Sequence, residues 1–252
     1  MIDLTGKVLL ITGGGGGIGA ACVRKAVALG AQVALHDVND GGPGKRLADE
    51  LGPDKCRFVA ADLSRGATVP GLWAEAVGWR GRVDVLVNNA GIYESADVDD
   101  SFEDWARSWQ RTLEINLVSP GHLCREAIRS FKQQGGGIIV NLASRAGFRG
   151  DDPDYAHYAA SKGGIIALTR TIARGFGRQG ITCFAVAPGF VRTDFNRKFF
   201  EQFGVEGAAK DIPLGAVAEP EDIANVIMFL SSGLARHATG TTIHVNGASY
   251  VH

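Results

Sequence analysis

The sequence predicts an α/β protein built on a doubly wound parallel sheet in a single domain. Short runs rich in Val, Ile and Leu recur along the chain without polar alternation, which is typical of strands buried on both faces of a sheet. Helical stretches separate these runs, and regular strand–helix alternation favours a parallel sheet. A chain of 252 residues that is 45% hydrophobic can bury one substantial core, and no linker or internal repeat divides it.

The predicted elements follow one another in a regular order. Strands are expected at the short apolar runs 7–12, 32–36, 57–61, 83–87, 137–142, 182–186 and 242–245. Helices are expected at 17–29, 43–51, 69–79, 158–175 and 220–230, with one long helical region at 102–133 in which Pro120 would cause a break or bend. Residues 189–215 form a long irregular stretch that exceeds an ordinary connection, and we interpret it as a candidate substrate lid.

The composition excludes several classes of function. The net charge of -1 indicates neither nucleic acid nor a membrane surface as a partner. The first residues lack the regions of a signal peptide and no apolar run reaches the length of a membrane span, so we expect a cytoplasmic protein. The cysteines are far apart and the histidines show no ligand spacing, so the sequence predicts reduced thiols and no metal site.

A Tyr and a Lys four residues apart form the most informative pattern in the chain. Tyr158 and Lys162 fall in a predicted helix, so both side chains share one face. An ammonium about 4 Å from a phenolate, at an effective dielectric near 20, stabilises it by roughly 4 kcal/mol, or about three pKa units. The pair thus predicts an acid/base device in which Lys162 lowers the pKa of Tyr158 from about 10 toward the working range. Taken alone, the same spacing also occurs on solvated helix surfaces.

A run of glycines joins the first predicted strand to the first helix. At this position, glycines let the backbone turn tightly and approach a pyrophosphate at the helix N-terminus, so the run predicts a nucleotide site. Its register is ambiguous. Gly14, Gly16 and Gly19 fit the pattern GxGxxG, whereas Gly13, Gly17 and Gly19 fit GxxxGxG.

Asp37 ends the second predicted strand, 18 residues after Gly19. An acidic side chain there can accept hydrogen bonds from the adenosine ribose hydroxyls, and it would repel a 2′-phosphate. The glycine loop contains no Arg or Lys, and Lys45 and Arg46 come only several residues later. The sequence therefore favours NAD over NADP as the cofactor.

These features together resemble the classical short-chain dehydrogenase/reductase family, and the resemblance covers essentially the whole chain. Further motifs stand in the family's order: Asp62, Asn88-Asn89-Ala90-Gly91, Asn116 within Glu114-Ile115-Asn116-Leu117, Asn141-Leu142-Ala143-Ser144 and Pro188-Gly189. The resemblance implies a Rossmann-type fold and hydride transfer between a nicotinamide and an alcohol or ketone.

The resemblance implies a catalytic set of four residues. Tyr158 would be the acid/base, and Lys162 would lower its pKa and hold the nicotinamide ribose. Ser144, which lies 14 residues before Tyr158, would polarise the substrate oxygen through a hydrogen bond. Asn116 would hold a water that links Lys162 to solvent.

The resemblance also implies which residues hold the cofactor. Asp62 would contact the adenine amino group, Asn89 and Gly91 would border the cleft, and Thr193 would contact the nicotinamide carboxamide. The full implied set is Gly13, Gly16, Gly17, Ile18, Gly19, Asp37, Asp62, Leu63, Asn89, Ala90, Gly91, Tyr158, Lys162, Pro188, Gly189, Val191 and Thr193.

Other residues near the predicted site receive a less specific interpretation. Tyr155 has Ala159 four residues later instead of Lys, so it is a candidate pocket wall, and His157 is interpreted as a surface residue at the helix start. Arg145 and several charged neighbours would form a polar rim without an assigned role. In the family the Tyr–Lys helix lies at a subunit interface, so the resemblance implies a homotetramer or a dimer.

The sequence favours an NAD(H)-dependent oxidoreductase acting on a secondary alcohol or ketone. One alternative is a 3-oxoacyl-thioester reductase of the acyl-carrier-protein type that uses NADPH, against which Asp37 argues. An alternative from another class is a non-catalytic NAD-sensing protein. Such proteins usually lose the Tyr–Lys pair, which this chain keeps.

Overall fold

One sheet of seven parallel strands organises the protein. A computed structural model describes residues 2–251, apart from the side chain of Lys198. The strands are β1 (Val8–Thr12), β2 (Gln32–Asp37), β3 (Cys56–Ala60), β4 (Val85–Asn88), β5 (Gly137–Leu142), β6 (Ile181–Pro188) and β7 (Thr242–Val245). Their order across the sheet is β3-β2-β1-β4-β5-β6-β7, and every neighbouring pair is parallel.

Helices cover both faces of this sheet. They are α1 (Gly17–Ala28), α2 (Pro43–Leu51), α3 (Val69–Arg80), α4 (Phe102–Leu113), α5 (Ser119–Gln134), α6 (Ala146–Arg149), α7 (Ala156–Phe176), α8 (Arg197–Ala209) and α9 (Pro220–Ser231). Leu9 and Ile11 of β1 pack in one core with α1, α2 and α9, whereas Leu10 packs in the other with α3, α5 and α7. Because successive side chains of a strand point to opposite faces, burial on both sides requires the unbroken apolar runs seen in the sequence.

The strand order reverses between β1 and β4, which locates the binding cleft. From β1 the chain builds outward to β2 and β3, and it then returns to place β4 on the other side of β1. Helices that leave these two strands diverge to opposite faces, so a crevice opens at the carboxyl ends of the strands. The glycine loop follows β1 and the segment from Asn88 to Gly91 ends β4, so both predicted motifs meet at this crevice.

The predicted fold class and element order are confirmed, with two differences in detail. The long helical region is divided by one turn of π-helix at Glu114–Val118, just before Pro120, between α4 and α5. The segment predicted to be irregular contains α8, whose aromatic side chains Phe199 and Phe200 pack with Phe190. Gly204, with φ of 71°, interrupts α8 and hides its helical pattern in the sequence.

The cysteine side chains lie in the apolar interior of the fold. Cys22, Cys56, Cys124 and Cys183 are all free and buried, as the sequence predicts. Within residues 2–251, no helix combines the length and the apolar character that crossing a bilayer requires. The acidic, His and Cys side chains of the same residues form no cluster suited to a metal ion.

Two asparagines of the sequence motifs join the sheet to the helix that carries Tyr158. Asn88 of β4 donates to Asn141 of β5 (Nδ2 to Oδ1, 2.8 Å), and Asn141 donates to the hydroxyl of Thr169 on α7 (2.9 Å). All three side chains are buried. Because leaving one buried partner unsatisfied costs about 1–3 kcal/mol, this chain of hydrogen bonds fixes α7 against the strand ends.

Candidate active site

The glycine loop is packed too closely for larger residues. Gly13 and Gly17 have φ of 63° and 48°, in the left-handed region that favours glycine. A Cβ at Gly19 would overlap the carbonyl oxygen of Gly13, whereas one at Gly16 would meet open space. The structure therefore favours the GxxxGxG register, because Gly13, Gly17 and Gly19 each need to be glycine whereas Gly16 of the other register does not; Gly14 and Gly15 also lack room for a Cβ.

Asn89 fixes the glycine loop to the end of β4. Its Nδ2 donates to the carbonyl oxygens of Thr12 (2.8 Å) and Gly13 (3.1 Å). In return, the Thr12 hydroxyl accepts hydrogen bonds from the backbone N–H groups of Asn89 and Ala90, both at 3.0 Å. These four bonds hold both sides of the crevice at a set distance, and their residue types follow from the predicted motifs.

Asp37 lies beside the glycine loop. Its Oδ2 accepts a hydrogen bond from the Gly15 N–H (3.0 Å), and its Oδ1 accepts one from the Val38 N–H (2.7 Å). The carboxylate is half-buried at the end of β2, next to the start of α2, where a Cβ on Gly15 would touch the backbone of Gly44. Asp37 thus presents a fixed negative charge at this edge of the loop.

Asp62 and Leu63 follow β3, farther from the cleft. Asp62 Oδ1 accepts hydrogen bonds from the N–H and the hydroxyl of Ser64, and these bonds lower the pKa of the Asp62 carboxyl. Leu63 is buried in the core, and its carbonyl oxygen accepts a hydrogen bond from Ser119 (2.7 Å). Asp62 is therefore held as an ionised acceptor, and Leu63 supports the loop that carries it.

Tyr158 and Lys162 point from α7 into the cleft, together with Ser144 after β5. Both α7 side chains are buried, and the Lys162 Nζ lies 5.6 Å from the centre of the Tyr158 ring. That ammonium donates to the carbonyl oxygen of Leu142 (2.8 Å). The Ser144 hydroxyl hydrogen-bonds Tyr158, and it also accepts from the Ala146 N–H (3.1 Å). Three of the four predicted catalytic side chains therefore lie together.

The predicted effect of Lys162 on the pKa of Tyr158 is wrong for this arrangement. Burial raises the pKa of Tyr158 above its ordinary value; the hydrogen bond from Ser144 lowers it, and the Asp151 carboxylate raises it further. Burial also lowers the pKa of Lys162 to about 8. The spacing argument counted the attraction between the two groups but not the loss of water around both, which is the larger effect here.

Asn116 lies behind the cleft, in the π-helical turn. Its side chain binds both sides of the Ile92 backbone, accepting from the N–H (2.9 Å) and donating to the carbonyl oxygen (3.0 Å). A Cβ added at Gly91 would lie 3.3 Å from Asn116 Oδ1 and 3.7 Å from Lys162 Nζ. Asn116 is thus close to Lys162 across Gly91, and the water-holding role stays a prediction.

Tyr93 is a cleft residue that the sequence reasoning missed. Its ring stacks on Tyr155 (centroids 4.0 Å apart), meets Tyr158 edge to face (4.7 Å) and stacks on Phe195 (5.6 Å). Its hydroxyl lies 3.4 Å from Asp151 Oδ2. Tyr155, predicted as a pocket wall, does not itself line the cleft but supports the Tyr93 ring that does. The available signal was position, because Tyr93 comes two residues after the Asn-Asn-Ala-Gly motif.

His157 is buried, which corrects its interpretation as a surface residue. It is 0% exposed and its ring packs near Trp109 of α4, with centroids 5.7 Å apart. Burial lowers the pKa of His157. Position near the start of a helix suggested exposure, but α4 covers this end of α7.

A cleft of about 560 Å³ collects most of the predicted site. It is bordered by the glycine loop, the ends of β4, β5 and β6, α7 and the start of the segment predicted as a lid. The predicted residues that line it are Gly13, Gly16, Gly17, Ile18, Gly19, Asn89, Ala90, Gly91, Ser144, Tyr158, Lys162, Pro188, Gly189, Val191 and Thr193. Asp37, Asp62, Leu63 and Asn116 do not line it.

Fold and cleft together define a dinucleotide-dependent oxidoreductase, and known proteins agree. A family model described as Enoyl-(Acyl carrier protein) reductase matches residues 13–248. The chain is 38% identical over 98% of both chains to the 3-oxoacyl-(acyl-carrier-protein) reductase FabG of Rickettsia felis, and 36% identical over 98% of both to a 3alpha-hydroxysteroid dehydrogenase of Mediterraneibacter gnavus.

A solved structure is also similar to this chain. A protein from Beutenbergia cavernae, assigned as an NAD(P)-dependent gluconate 5-dehydrogenase and holding NADP at low occupancy, has a TM-score of 0.90 and 32% identity over 98% of both chains. The chain belongs to the classical short-chain dehydrogenase/reductase family. It is an oxidoreductase that acts on alcohol or keto groups with a nicotinamide cofactor.

The glycine loop fits the pyrophosphate of such a cofactor. Helix α1 begins at Gly17, and its first turn contains no acidic side chain that would repel a phosphate. The free N–H groups and the positive end of the helix dipole there favour an anion. A Cβ on Gly17 would lie 2.9 Å from the Thr193 methyl group, so glycine also keeps this part of the cleft open.

We expect Gly19→Ala to weaken cofactor binding. The added methyl group would overlap the Gly13 carbonyl oxygen and lie 2.7 Å from Asn89 Nδ2, so the loop must move. Affinity for NADH should fall at least about tenfold, or roughly 1.4 kcal/mol, in a fluorescence titration. Gly71→Ala in α3, where a Cβ meets open space, is the control and should bind as wild type does. Unchanged affinity in Gly19→Ala would contradict the role of the close packing of Gly19 against Gly13 in cofactor binding.

Proposed function

We propose that the protein is an NAD(H)-dependent oxidoreductase that interconverts a secondary alcohol and a ketone, with Tyr158 as its acid/base. The observation that carries this proposal is the buried Tyr158, placed between Ser144 and Lys162 in the cleft that the glycine loop borders. Burying an ammonium beside a phenol costs free energy that a purely structural role would not explain. Acid/base catalysis does explain it, because it uses both groups.

The proposed roles follow from the position of each side chain. The bound nicotinamide supplies or accepts the hydride. In oxidation, the Tyr158 phenolate accepts the hydroxyl proton of the substrate as the hydride leaves the carbinol carbon. In reduction, the Tyr158 phenol donates its proton to the carbonyl oxygen. Ser144 donates its hydroxyl hydrogen bond to that oxygen, which stabilises the charge that develops there.

Lys162 would both assist proton transfer and bind the cofactor. Its ammonium is buried, lines the cleft and donates to the carbonyl oxygen of Leu142, and it would hold a ribose hydroxyl of the bound cofactor. With a pKa of about 8, Lys162 exchanges its proton readily near neutral pH. We propose that a water held at Asn116 passes this proton to solvent.

We propose NAD(H) as the preferred cofactor because of Asp37. Its fixed carboxylate would face a 2′-phosphate, and neither residues 13–19 nor residues 37–42 contain an Arg or Lys to neutralise one. A carboxylate at this place accepts hydrogen bonds from the ribose hydroxyls of NAD. The NADP held by the Beutenbergia cavernae relative points the other way, so the preference must be measured on this chain.

A second candidate function is reduction of a 3-oxoacyl thioester with NADPH. It is favoured by the similarity to the FabG of Rickettsia felis and by further relatives of the same name. The charge of Asp37 argues against it. A third candidate, NAD sensing without turnover, predicts that absorbance at 340 nm stays constant with every alcohol and ketone of a panel.

We infer a homotetramer or a dimer, and a cytoplasmic location. Support for assembly comes from apolar side chains left exposed on and beside α4 and α5, namely Val98 (82%), Phe102 (75%) and Val118 (38%). We also propose that residues 189–215 act as a lid, because the Phe195 ring of this segment already stacks on Tyr93 in the cleft.

Tyr158→Phe should abolish most turnover while leaving the cofactor bound. The variant removes only the hydroxyl, so the packing on Tyr93 stays, but the proton has no donor or acceptor. Turnover should fall at least about 10²-fold, the low end of a general acid/base contribution. Steady-state rates with an accepted alcohol, alongside NADH titration, test this. Near-normal turnover would show that another group carries the proton.

Asp151→Asn should shift the pH profile of alcohol oxidation to lower pH. The Asp151 carboxylate raises the pKa of Tyr158, so its removal increases the phenolate fraction at any pH below that pKa. Oxidation at about pH 8 should become faster, by about tenfold or less. The matched control is Asp154→Asn, since Asp154 does not line the cleft or affect the pKa of Tyr158. A shift to higher pH would contradict this electrostatic assignment.

Asp37→Ala should reduce the difference between the affinities for NADH and NADPH. Wild-type protein is expected to bind NADH at least about tenfold more tightly than NADPH, or roughly 1.4 kcal/mol. Loss of the carboxylate should strengthen NADPH and weaken NADH, as measured by fluorescence titration of both. Asp54→Ala makes the same charge change at a fully exposed site outside the cleft and serves as the control. Equal or reversed affinities in wild type would favour the thioester reductase candidate.

A further inference from the structure

Arg145 occupies a buried position directly beside the predicted catalytic serine. It follows Ser144 at the carboxyl end of β5, and its backbone N–H donates to the carbonyl oxygen of Pro188 at the end of β6 (3.1 Å). The residue is only 8% exposed, and its side chain lines the cleft. The guanidinium lies over the ring of Phe190, 4.7 Å from its centroid. The cation is therefore held in place by packing.

The Arg145 guanidinium has no carboxylate partner within the described part of the chain. No Asp or Glu oxygen of residues 2–251 lies within 4.0 Å of it, in contrast to exposed arginines such as Arg24 and Arg192. Asp151, which also lines the cleft, accepts from the Tyr93 hydroxyl instead. A buried charge without a partner is costly, and the cost is offset when a ligand brings the opposite charge.

The charges around Arg145 narrow the kind of anion that fits. Arg149 lies four residues later at the end of α6 and also lines the cleft, so two guanidiniums border one wall. Asp151 and Asp211 border the same space. These carboxylates would repel a doubly charged phosphate more strongly than a singly charged group. A planar guanidinium also matches the two oxygens of a carboxylate.

We propose that Arg145 binds a carboxylate of the substrate, so that the substrate class is a small hydroxy or keto carboxylate. The carbinol carbon of this substrate would lie at Ser144 and Tyr158, with the carboxylate against Arg145 and Phe190. The substrate class rests on the proposed function, but the anion site does not. A 3-oxoacyl thioester carries no carboxylate beside its keto group, so this assignment also separates the two candidate reactions.

Pairs of substrates that differ in the charge of one group test the proposal. Secondary-hydroxy carboxylates of three to six carbons are compared with their methyl esters under NAD-dependent oxidation. In wild type, kcat/KM should favour the carboxylate. Arg145→Met should lower kcat/KM for the carboxylate at least about 30-fold, the low end expected when one partner of a buried charge pair is removed. The value for the ester should change less than about threefold, and NADH affinity should not change.

Two further variants separate a binding role from a structural one. Arg145→Lys restores the charge without the planar fork and should recover part of the carboxylate selectivity. Arg170→Met removes an exposed arginine of α7 outside the cleft and should match wild type for both members of each pair. If Arg145→Met fails to fold, the proposal is still tested by comparing Arg145→Lys with wild type on the same pairs of carboxylate and ester substrates. An equal loss for ester and carboxylate, or a wild-type preference for the ester, overturns the proposal.

A binding measurement without turnover distinguishes this proposal from the proposed function. Propionate, which carries one negative charge and has no alcohol or ketone, is added to the NADH complex and the Tm is recorded. It should raise the Tm of wild type and of Arg170→Met but not that of Arg145→Met. If no compound is oxidised or reduced while propionate shows this pattern, the anion site stands and the proposed function falls. If propionate affects wild type and Arg145→Met alike, or neither, the anion site is overturned.

Discussion

The hydrogen bonds of the Asn89 side chain to the main chain of Thr12 and Gly13 are the constraint on which the site depends. They join the ends of β1 and β4 where the strand order reverses, and they fix the glycine loop within the crevice. A loop of five consecutive glycines would otherwise sample many conformations. The close approach of Gly19 to Gly13 then sets where α1 begins, and with it the direction of the helix dipole toward the cleft.

Several charged and polar side chains of the site are buried. Tyr158, Lys162 and Arg145 are all nine-tenths buried or more, and each has a pKa shifted toward its neutral form by loss of water. The lowered pKa values of the Lys162 and Arg145 cations cost folding stability, about 1.4 kcal/mol for each pKa unit, whereas the raised pKa of Tyr158 costs none near neutral pH because the phenol is uncharged in both states. The apolar cores on both faces of the sheet offset that cost, as is usual where a rigid scaffold supports reactive groups.

The substrate side of the cleft is assembled from segments far apart in the chain. Tyr93 follows β4, Tyr155 precedes α7, and Phe195 comes from the segment after β6, yet their rings stack beside Tyr158. The cofactor side, by contrast, is built from short motifs at strand ends. This division explains how one fold keeps a constant hydride chemistry while its substrate changes, because only the stacked segments need to differ.

The sequence by itself determined the order of strands and helices, the glycine loop and the Tyr–Lys–Ser set, since each depends on residues near one another in the chain. It left the glycine register open and misjudged the pKa of Tyr158, the exposure of His157 and the structure of residues 197–209. It also assigned no role to Tyr93. Each of these depends on contacts with distant segments: Gly13 against Gly19 within a folded loop, α4 over His157, Phe190 under α8. Burial is a property of the whole fold, and only the tertiary structure decides how much water surrounds a side chain.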